Sequence, residues 1–264
     1  MRILKVVMSD LTIQEKMRYL NDISRLTELK INCTDKIKVR DYCIANVGID
    51  LHAQIYGVWN SFEEIDFLKL PNKFMLKCNH GCAMNIPCFD KTTFDFKQAK
   101  EKLNKWVNSI QGIESKEYQY SKIDRKIFAE ELLINSKEES LIDYRIWCFH
   151  GVPHFLGVNG GSGWGQIVFF DTDFKPYDLF TSQKIPTNIK ELYNQYNKPD
   201  NFELMLKYAE MLSSEFKFVR VDMYNVNGSI YLGEMTFSPG GYNFHFKTSK
   251  GVSKDIEIGK LIKL

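Results

Sequence analysis

At 264 residues the chain is long enough to bury a sizeable core in one or two domains. Hydrophobic content of 44% and charged content of 26% exclude a disordered or fibrous class. A net charge of +2 without a dense Lys/Arg tract gives no reason to expect a nucleic-acid partner, and no apolar run reaches the length of a membrane span.

The first helix signal lies in residues 11–28, where Ile13, Met17, Leu20, Ile23 and Leu26 fall at helical spacing. The segment before it has neither a long apolar core nor a small-residue cleavage site, so no signal peptide is read and a cytoplasmic location is expected. Thr34-Asp35 predicts the cap of a second helix, Lys36 to Asn46, with Ile37, Tyr42, Ile44 and Val47 turned inward. Ser61 and Glu64 occupy capping-box positions for a short third helix.

After Leu70-Pro71 the pattern becomes that of a strand, Lys73 to Cys78, which runs into a small-residue turn, Asn79-His80-Gly81-Cys82-Ala83-Met84-Asn85, and a return strand, Ile86 to Phe89. Residues 95–110 read as a helix with Ala99, Leu103, Trp106, Val107 and Ile110 on one side. Lys126 to Leu133 reads as a strand with acids in its middle. Asp143 to Phe149, His154 to Val158 and Gln166 to Phe170 are further strands, the second ending in a glycine loop at 159–165. Helices are expected over 188–196 and 202–216. Helices first and antiparallel strands later make the class α+β rather than a doubly wound sheet.

Phe218 to Phe237 carries the strongest local signal. Asn227-Gly228 is a hairpin turn, since both residues tolerate positive φ. Asp222 lies five residues before Asn227 and Glu234 six after Gly228, so the hairpin brings the two carboxylates together within about one residue of register. Thr236 shares a strand face with Glu234, and Arg220 with Asp222. Two adjacent half-buried carboxylates repel unless a positive charge lies between them, and a hard divalent cation with oxygen ligands meets that need. A solvated surface hairpin carries the same residue types, although the flanks here are strongly apolar.

Other candidates are more equivocal. Lys77 ends an apolar strand before the turn, where its ammonium is suited either to a nucleotide phosphate or to snorkelling into solvent; no Walker loop is present. Glu130-Glu131-Leu132-Leu133 fits either a hinge whose backbone reads an adenine edge or a solvated strand end. Arg145, inside the apolar run YRIWCF, needs an anion, from a ligand or from a structural salt bridge. Asp171-Thr172-Asp173 is a D-x-D of the kind that holds a metal in nucleotide-sugar transferases, or else a polar turn. His80 lies in the turn after Lys77 and His245 follows Gly240-Gly241, where each is a candidate for substrate contact, and no catalytic triad or nucleophile elbow is present. The six cysteines include no C-x-x-C pair and read as reduced thiols; Cys78 and Cys82 lack the second ligand pair a zinc site requires.

Taken together, TDKIKVRDY (34–42), LPNKFMLKCNHG (70–81), AEELL (129–133), DYRIWCFHGVPHF (143–155) and FVRVDMYNVNGSIYLGEMTFSPGG (218–241) resemble the TupA-like ATP-grasp family, linked to teichuronopeptide and capsular polysaccharide biosynthesis. The resemblance implies an ATP-grasp fold: an N-terminal helical segment over 1–70 in place of a full pre-grasp domain, a small subdomain over 71–133 and a large one over 134–264. It implies an ATP- and Mg2+-dependent carboxylate–amine ligase acting through an acyl phosphate on a sugar acid or amino acid, with a partner chain or a reduced substrate site in place of the missing domain and a homo-oligomer or partner subunit as the expected assembly. By the same resemblance, Lys36 and Lys77 lie on the phosphate side with His80 and Gly81. Glu130, Glu131, Leu132 and Leu133 hold adenine. Arg145 and Arg220, with Lys77, act on the transferred phosphoryl group. Asp222, Glu234 and Thr236 carry Mg2+, Thr236 standing where many ATP-grasp enzymes have Asn. Gly240, Gly241 and His245, with Arg145, face the substrate. Cys82-Ala83-Met84 replaces a more glycine-rich phosphate loop. A nucleotide-sugar transferase, a small-molecule kinase and a nucleotide-binding subunit without turnover are the rival functions.

Overall fold

The computed structural model describes residues 10–135, 141–160, 166–181, 185 and 187–264. Three helices lead: α1 (Ile13–Leu20), α2 (Glu28–Thr34) and α3 (Val39–Val47). Thr12 caps α1 through a reciprocal pair in which Thr12 Oγ1 accepts from the Glu15 N–H and Glu15 takes the Thr12 N–H at 2.8 Å. The single helix expected over 11–28 is divided. Asp22 accepts the Ser24 N–H at 3.0 Å and Thr27 the Lys30 N–H at 3.2 Å, so each side chain begins a new turn, and Ile23 ends exposed. The next helix also starts later than expected, because Asp35 takes the Ile37 N–H at 2.9 Å. Val39 and Cys43 are buried there while Ile44 is exposed, and Tyr42 and Val47 pack partly inward. At Ser61 only a 3-10 turn forms: its hydroxyl caps nothing, and Glu64 accepts the Asn60 N–H at 2.9 Å.

Strands β1 (Ile55–Trp59), β2 (Phe74–Cys78), β3 (Asn85–Cys88) and β4 (Ile127–Glu130) form an antiparallel sheet in the order β1-β4-β2-β3. Helix α4 (Phe96–Val107) covers one face, where Leu103 and Val107 meet Phe74, Leu76, Cys78, Ile127 and Ala129. Strand alternation puts Met75, Lys77, Phe128 and Glu130 on the other face. The sequence pattern predicts no strand at β1, where a register shift beside Gly57 interrupts the alternation. The Trp59 indole folds over Gly57 so closely that an added Cβ would lie 2.3 Å from Trp59 Cζ2. Because β1 pairs with β4, the small sheet draws residues 55–59 from the segment expected to be helical, and the boundary at 70 does not bound this sheet.

The second sheet contains β5 (Ile142–Phe149), β6 (Val152–Gly160), β7 (Val168–Asp171), β8 (Phe218–Val226) and β9 (Ser229–Thr236), in the order β7-β6-β5-β8-β9. The glycine loop expected at 159–165 lies outside the described residues from position 161. One face carries Tyr144, Ile146, Cys148, Val219, Val221 and Met223 and packs on α3, α5 (Ile189–Tyr193) and α6 (Phe202–Ser213). The opposite face is aromatic at one end. There Trp147, Phe149, Phe155 and Phe218 are covered by Phe244, Phe246, Ile13 and Met17 of α1, and Ile258 of α7 (Asp255–Gly259). The other end of that face is polar and carries the hairpin carboxylates. Among the described residues, no helix is long and apolar enough to cross a membrane.

Candidate functional site

The hairpin turn has the backbone its sequence demands, with φ of 51° at Asn227 and 83° at Gly228. Asp222 pairs directly with Glu234. The extra residue on the return strand is absorbed by a bulge, the register stepping from Asp222↔Glu234 to Met223↔Leu232 past Gly233. Residues two apart on a regular strand share a face; the bulge lets Leu232 enter the core with Met223 while Glu234 stays beside Asp222. Glycine suits this position, since an added Cβ would lie 2.9 Å from Tyr224 Cε2 and 3.2 Å from the Asp222 carbonyl oxygen.

Three rows of side chains cross the polar face. Arg145, Asp222 and Glu234 stand side by side on β5, β8 and β9. Trp147, Arg220 and Thr236 form the row on one side, and Asp143 with Tyr224 the row on the other. The Arg220 guanidinium lies between the two hairpin carboxylates. Its Nε donates to Asp222 Oδ1 at 2.6 Å, one terminal nitrogen bonds Asp222 Oδ2 and reaches Thr236 Oγ1 at 3.2 Å, and the same nitrogen is 3.6 Å from Glu234 Oε1. Thr236 Oγ1 donates to Glu234 Oε1 at 2.6 Å. Burial pushes the Asp222 carboxyl up against the pull of Arg220. Burial also raises Glu234, yet the charges of Lys36, Arg220 and Arg145 hold it below the usual range.

The sequence led us to expect a cation between Asp222 and Glu234, and Arg220 supplies one. Its position shows that this point accepts positive charge, and two carboxylates with a hydroxyl are an oxygen-only donor set suited to Mg2+. A metal at this point would require Arg220 to release Asp222, both of whose oxygens it holds. No group of three or more His, Cys, Asp or Glu side chains suited to a metal occurs among the described residues, so other oxygens, such as those of phosphate, would complete the coordination.

Arg145 lies on the polar face and donates from Nε to Asp143 Oδ2 at 2.7 Å. Sequence reasoning missed Asp143; the available signal was an acid two residues before an arginine on one strand face. Asp143 Oδ1 is buried and has no hydrogen-bond partner. Burial raises this carboxyl, opposed by Arg145 and Arg220.

On the small sheet, Lys77 Nζ pairs with Glu130 Oε1 at 2.5 Å. Lys36 donates from Nζ to the Gly81 carbonyl at 2.8 Å and from its backbone to Asn79 O at 3.2 Å, and its charge reaches Glu234. Asn79, another residue missed, is the buried hub of this region. Its amide donates to Asp35 Oδ1 at 3.0 Å and to Asp124 O at 2.8 Å, and its oxygen accepts the Lys126 N–H at 2.8 Å. His80 needs correction as a site residue. It is fully buried, with Nε2 3.1 Å from Trp106 O at the end of α4 and Nδ1 without a hydrogen-bond partner among the described residues, so its ring lies in the core rather than in an open phosphate loop.

Glu131 donates its N–H to Gln54 O at 2.8 Å, which ties it to the chain entering β1, and Leu132 and Leu133 lie beyond the end of β4. A cleft of about 620 Å³ opens beside Glu131, lined also by Arg40, His52, Tyr208 and Tyr231; the hairpin carboxylates lie outside it. Gly240 and Gly241 have φ of 56° and 59°, a region open to glycine. Their loop is tied to the segment before β4, where Ser238 Oγ donates to Glu117 Oε1 at 2.6 Å and accepts from Gln119 Nε2 at 2.8 Å. His245 is mostly exposed, with Nδ1 2.8 Å from Asp255 Oδ2. The D-x-D is a turn: Asp171 Oδ1 accepts the N–H groups of Asp173 at 3.0 Å and Lys175 at 2.8 Å, and Asp173 pairs with Lys175.

The model of the TupA-like ATP-grasp family matches residues 12–263. No curated protein matches the chain. Among solved structures, the D-alanine–D-alanine ligase of Helicobacter pylori is 16% identical with a TM-score of 0.48, over 96% of this chain and 68% of that one. The D-alanine–D-alanine ligase of Bacillus anthracis complexed with ATP is 17% identical with a TM-score of 0.43, over 80% of this chain and 58% of that one. The N5-carboxyaminoimidazole synthase of Aspergillus clavatus is 13% identical with a TM-score of 0.42, over 78% of this chain and 44% of that one. The chain thus spans between 44% and 68% of the length of these neighbours. The family match over nearly its whole length shows that the chain belongs to the TupA-like ATP-grasp family, and its fold is an ATP-grasp fold.

Proposed function

We propose that the protein is an ATP- and Mg2+-dependent carboxylate–amine ligase. The observation that carries the proposal is the row Arg145, Asp222 and Glu234 on three adjacent strands, with the charge of Lys36 reaching Glu234. Such a row offers oxygen donors for a metal beside cationic donors for phosphate, as phosphoryl transfer requires. Residues 71–133, with β1, act as the small subdomain and 134–264 as the large one.

Lys36 and Lys77 bind the phosphates, Lys77 after exchanging Glu130 for a phosphate oxygen. Glu131 has its N–H engaged, so base contacts fall to the backbone of Leu132 and Leu133. Asp222, Glu234 and Thr236 hold Mg2+, which when bound neutralises phosphate charge and acts as a Lewis acid. A substrate carboxylate oxygen attacks the γ-phosphorus, and the bond to the β-γ bridging oxygen breaks to release ADP. Arg145 and Arg220 stabilise the charge on the migrating phosphoryl group. The amine then attacks the acyl carbon, phosphate leaves with the C–O bonding pair, and the nitrogen loses a proton to give the amide. Gly240 and Gly241 let substrate approach the backbone, and His245 lies at the outer end of that loop. A sugar acid or amino acid of a surface polysaccharide, joined in the cytoplasm, fits this chemistry.

Thermal unfolding with Mg2+ plus ATP, Mg2+ plus a UDP-sugar, and each nucleotide with EDTA tests the proposal. ATP is expected to stabilise only with metal, by roughly 2.7 kcal/mol at a hundred times its dissociation constant. ADP release should then appear with a carboxylate and amine pair. Stabilisation by the UDP-sugar alone would overturn it.

A further inference from the structure

We infer that Asp143 is a positioning residue that aims Arg145 at the terminal phosphate of ATP; the inference rests on the ligase function proposed above. Asp143 and Arg145 alternate onto the same face of β5, where Asp143 Oδ2 accepts from Arg145 Nε at 2.7 Å. This bond uses the inner nitrogen of the guanidinium. Among the described residues, the two terminal nitrogens have no protein acceptor, and they are the pair that grips an oxyanion in parallel. Arg145 is also the cross-strand neighbour of Asp222, so its free end belongs to the row that ends in Glu234.

Arg220 makes a useful contrast. It spends both Nε and a terminal nitrogen on Asp222 and touches Thr236 as well. The two arginines of this face therefore differ: Arg220 is locked onto a carboxylate, while Arg145 is held through Nε and its fork meets no acceptor among the described residues. Asp143 Oδ1 is buried without a donor among the described residues, an exception among buried polar atoms that calls for a reason. A carboxylate half satisfied beside an arginine half satisfied is an arrangement that a bound group completes.

The probes are Mg2+-ATP and Mg2+-ADP, with affinities measured by calorimetry on the full chain. These nucleotides differ by the phosphate Arg145 is to meet, so the ratio of their affinities isolates the contact. Asp143→Ala is expected to weaken ATP about tenfold and leave ADP within about twofold, since tenfold corresponds to roughly 1.4 kcal/mol, the scale of a charge-assisted hydrogen bond. Arg145→Ala should remove the same preference, and the double variant should lose no more than Arg145→Ala alone. If Asp143→Ala does not fold, Asp143→Asn keeps the shape and is expected to lower the ATP-to-ADP ratio several-fold. An unchanged ratio in whichever of these variants folds, or an equal loss for both nucleotides, overturns the inference while leaving the ligase proposal standing. A wild-type protein that binds neither nucleotide overturns both.

Discussion

Replacing Gly233 by alanine puts one methyl group at the bulge that sets Asp222 and Glu234 face to face. The added Cβ would lie 2.9 Å from Tyr224 Cε2 and 3.2 Å from the Asp222 carbonyl oxygen. The ring edge can swing, whereas the carbonyl belongs to the strand that carries a site carboxylate. Overpacking of this kind costs about 1–3 kcal/mol. For a chain of this size a loss of about 2 kcal/mol lowers the midpoint by roughly 4–8 °C. Thermal unfolding followed by circular dichroism reads the loss, and the Mg2+-ATP shift should shrink with it because Asp222 moves. Shortening Tyr224 to alanine removes the first of the two contacts, so the double variant should recover part of the loss relative to the sum of the single changes. A Gly233→Ala protein with the wild-type midpoint, or strict additivity with Tyr224→Ala, would refute the account of the bulge.

Three further outcomes follow from the structure. Asn79→Ala strips donors and acceptors from Asp35, Asp124 and Lys126 at once, so a loss of about 2–4 kcal/mol is expected in urea denaturation, at unchanged m-value. Lys77→Met should abolish ATP stabilisation, and it should also destabilise the unliganded protein, because it leaves the largely buried Glu130 carboxylate without its partner; equal ATP shifts in the two proteins would count against a phosphate role. Burial lowers the Lys30 ammonium to about 8 from 10.5, so the unfolded chain binds more protons between those values and this group's contribution to stability rises with pH across that window. Lys30→Met should therefore lose ground to wild type from pH 8 to 10.5; a flat difference would show that Lys30 titrates normally.

The hairpin was legible in the sequence because Asn227-Gly228 allows few other conformations and the two acids lie at nearly equal distances from it. The bulge was not legible: a glycine in a strand signals an irregularity without saying which partner atoms demand it, and Tyr224 supplies that answer only in three dimensions. Arg220 was visible as a neighbour of Asp222, yet its place between the carboxylates depends on a side-chain conformation that no spacing encodes. Asp143 and Asn79 were missed for opposite reasons. Asp143 sat inside a motif whose arginine drew the attention, whereas the partners of Asn79 are 44 to 47 residues away in the chain. His80 looked suited to the site because of the loop it begins, and the end of α4 claimed its ring. The helix boundaries moved where Asp22, Thr27 and Asp35 captured backbone N–H groups, which periodicity does not register.

The row of Arg145, Asp222 and Glu234 runs across the strands rather than along one of them. Adjacent strands are held about 4.8 Å apart by the backbone ladder, whatever side chains they carry. The pitch of this charge array is therefore a property of the sheet, and only the sign at each step belongs to the residue. A substitution at one step rewrites the charge there without shifting its neighbours, so related chains can retune what the array binds while its ruler stays constant.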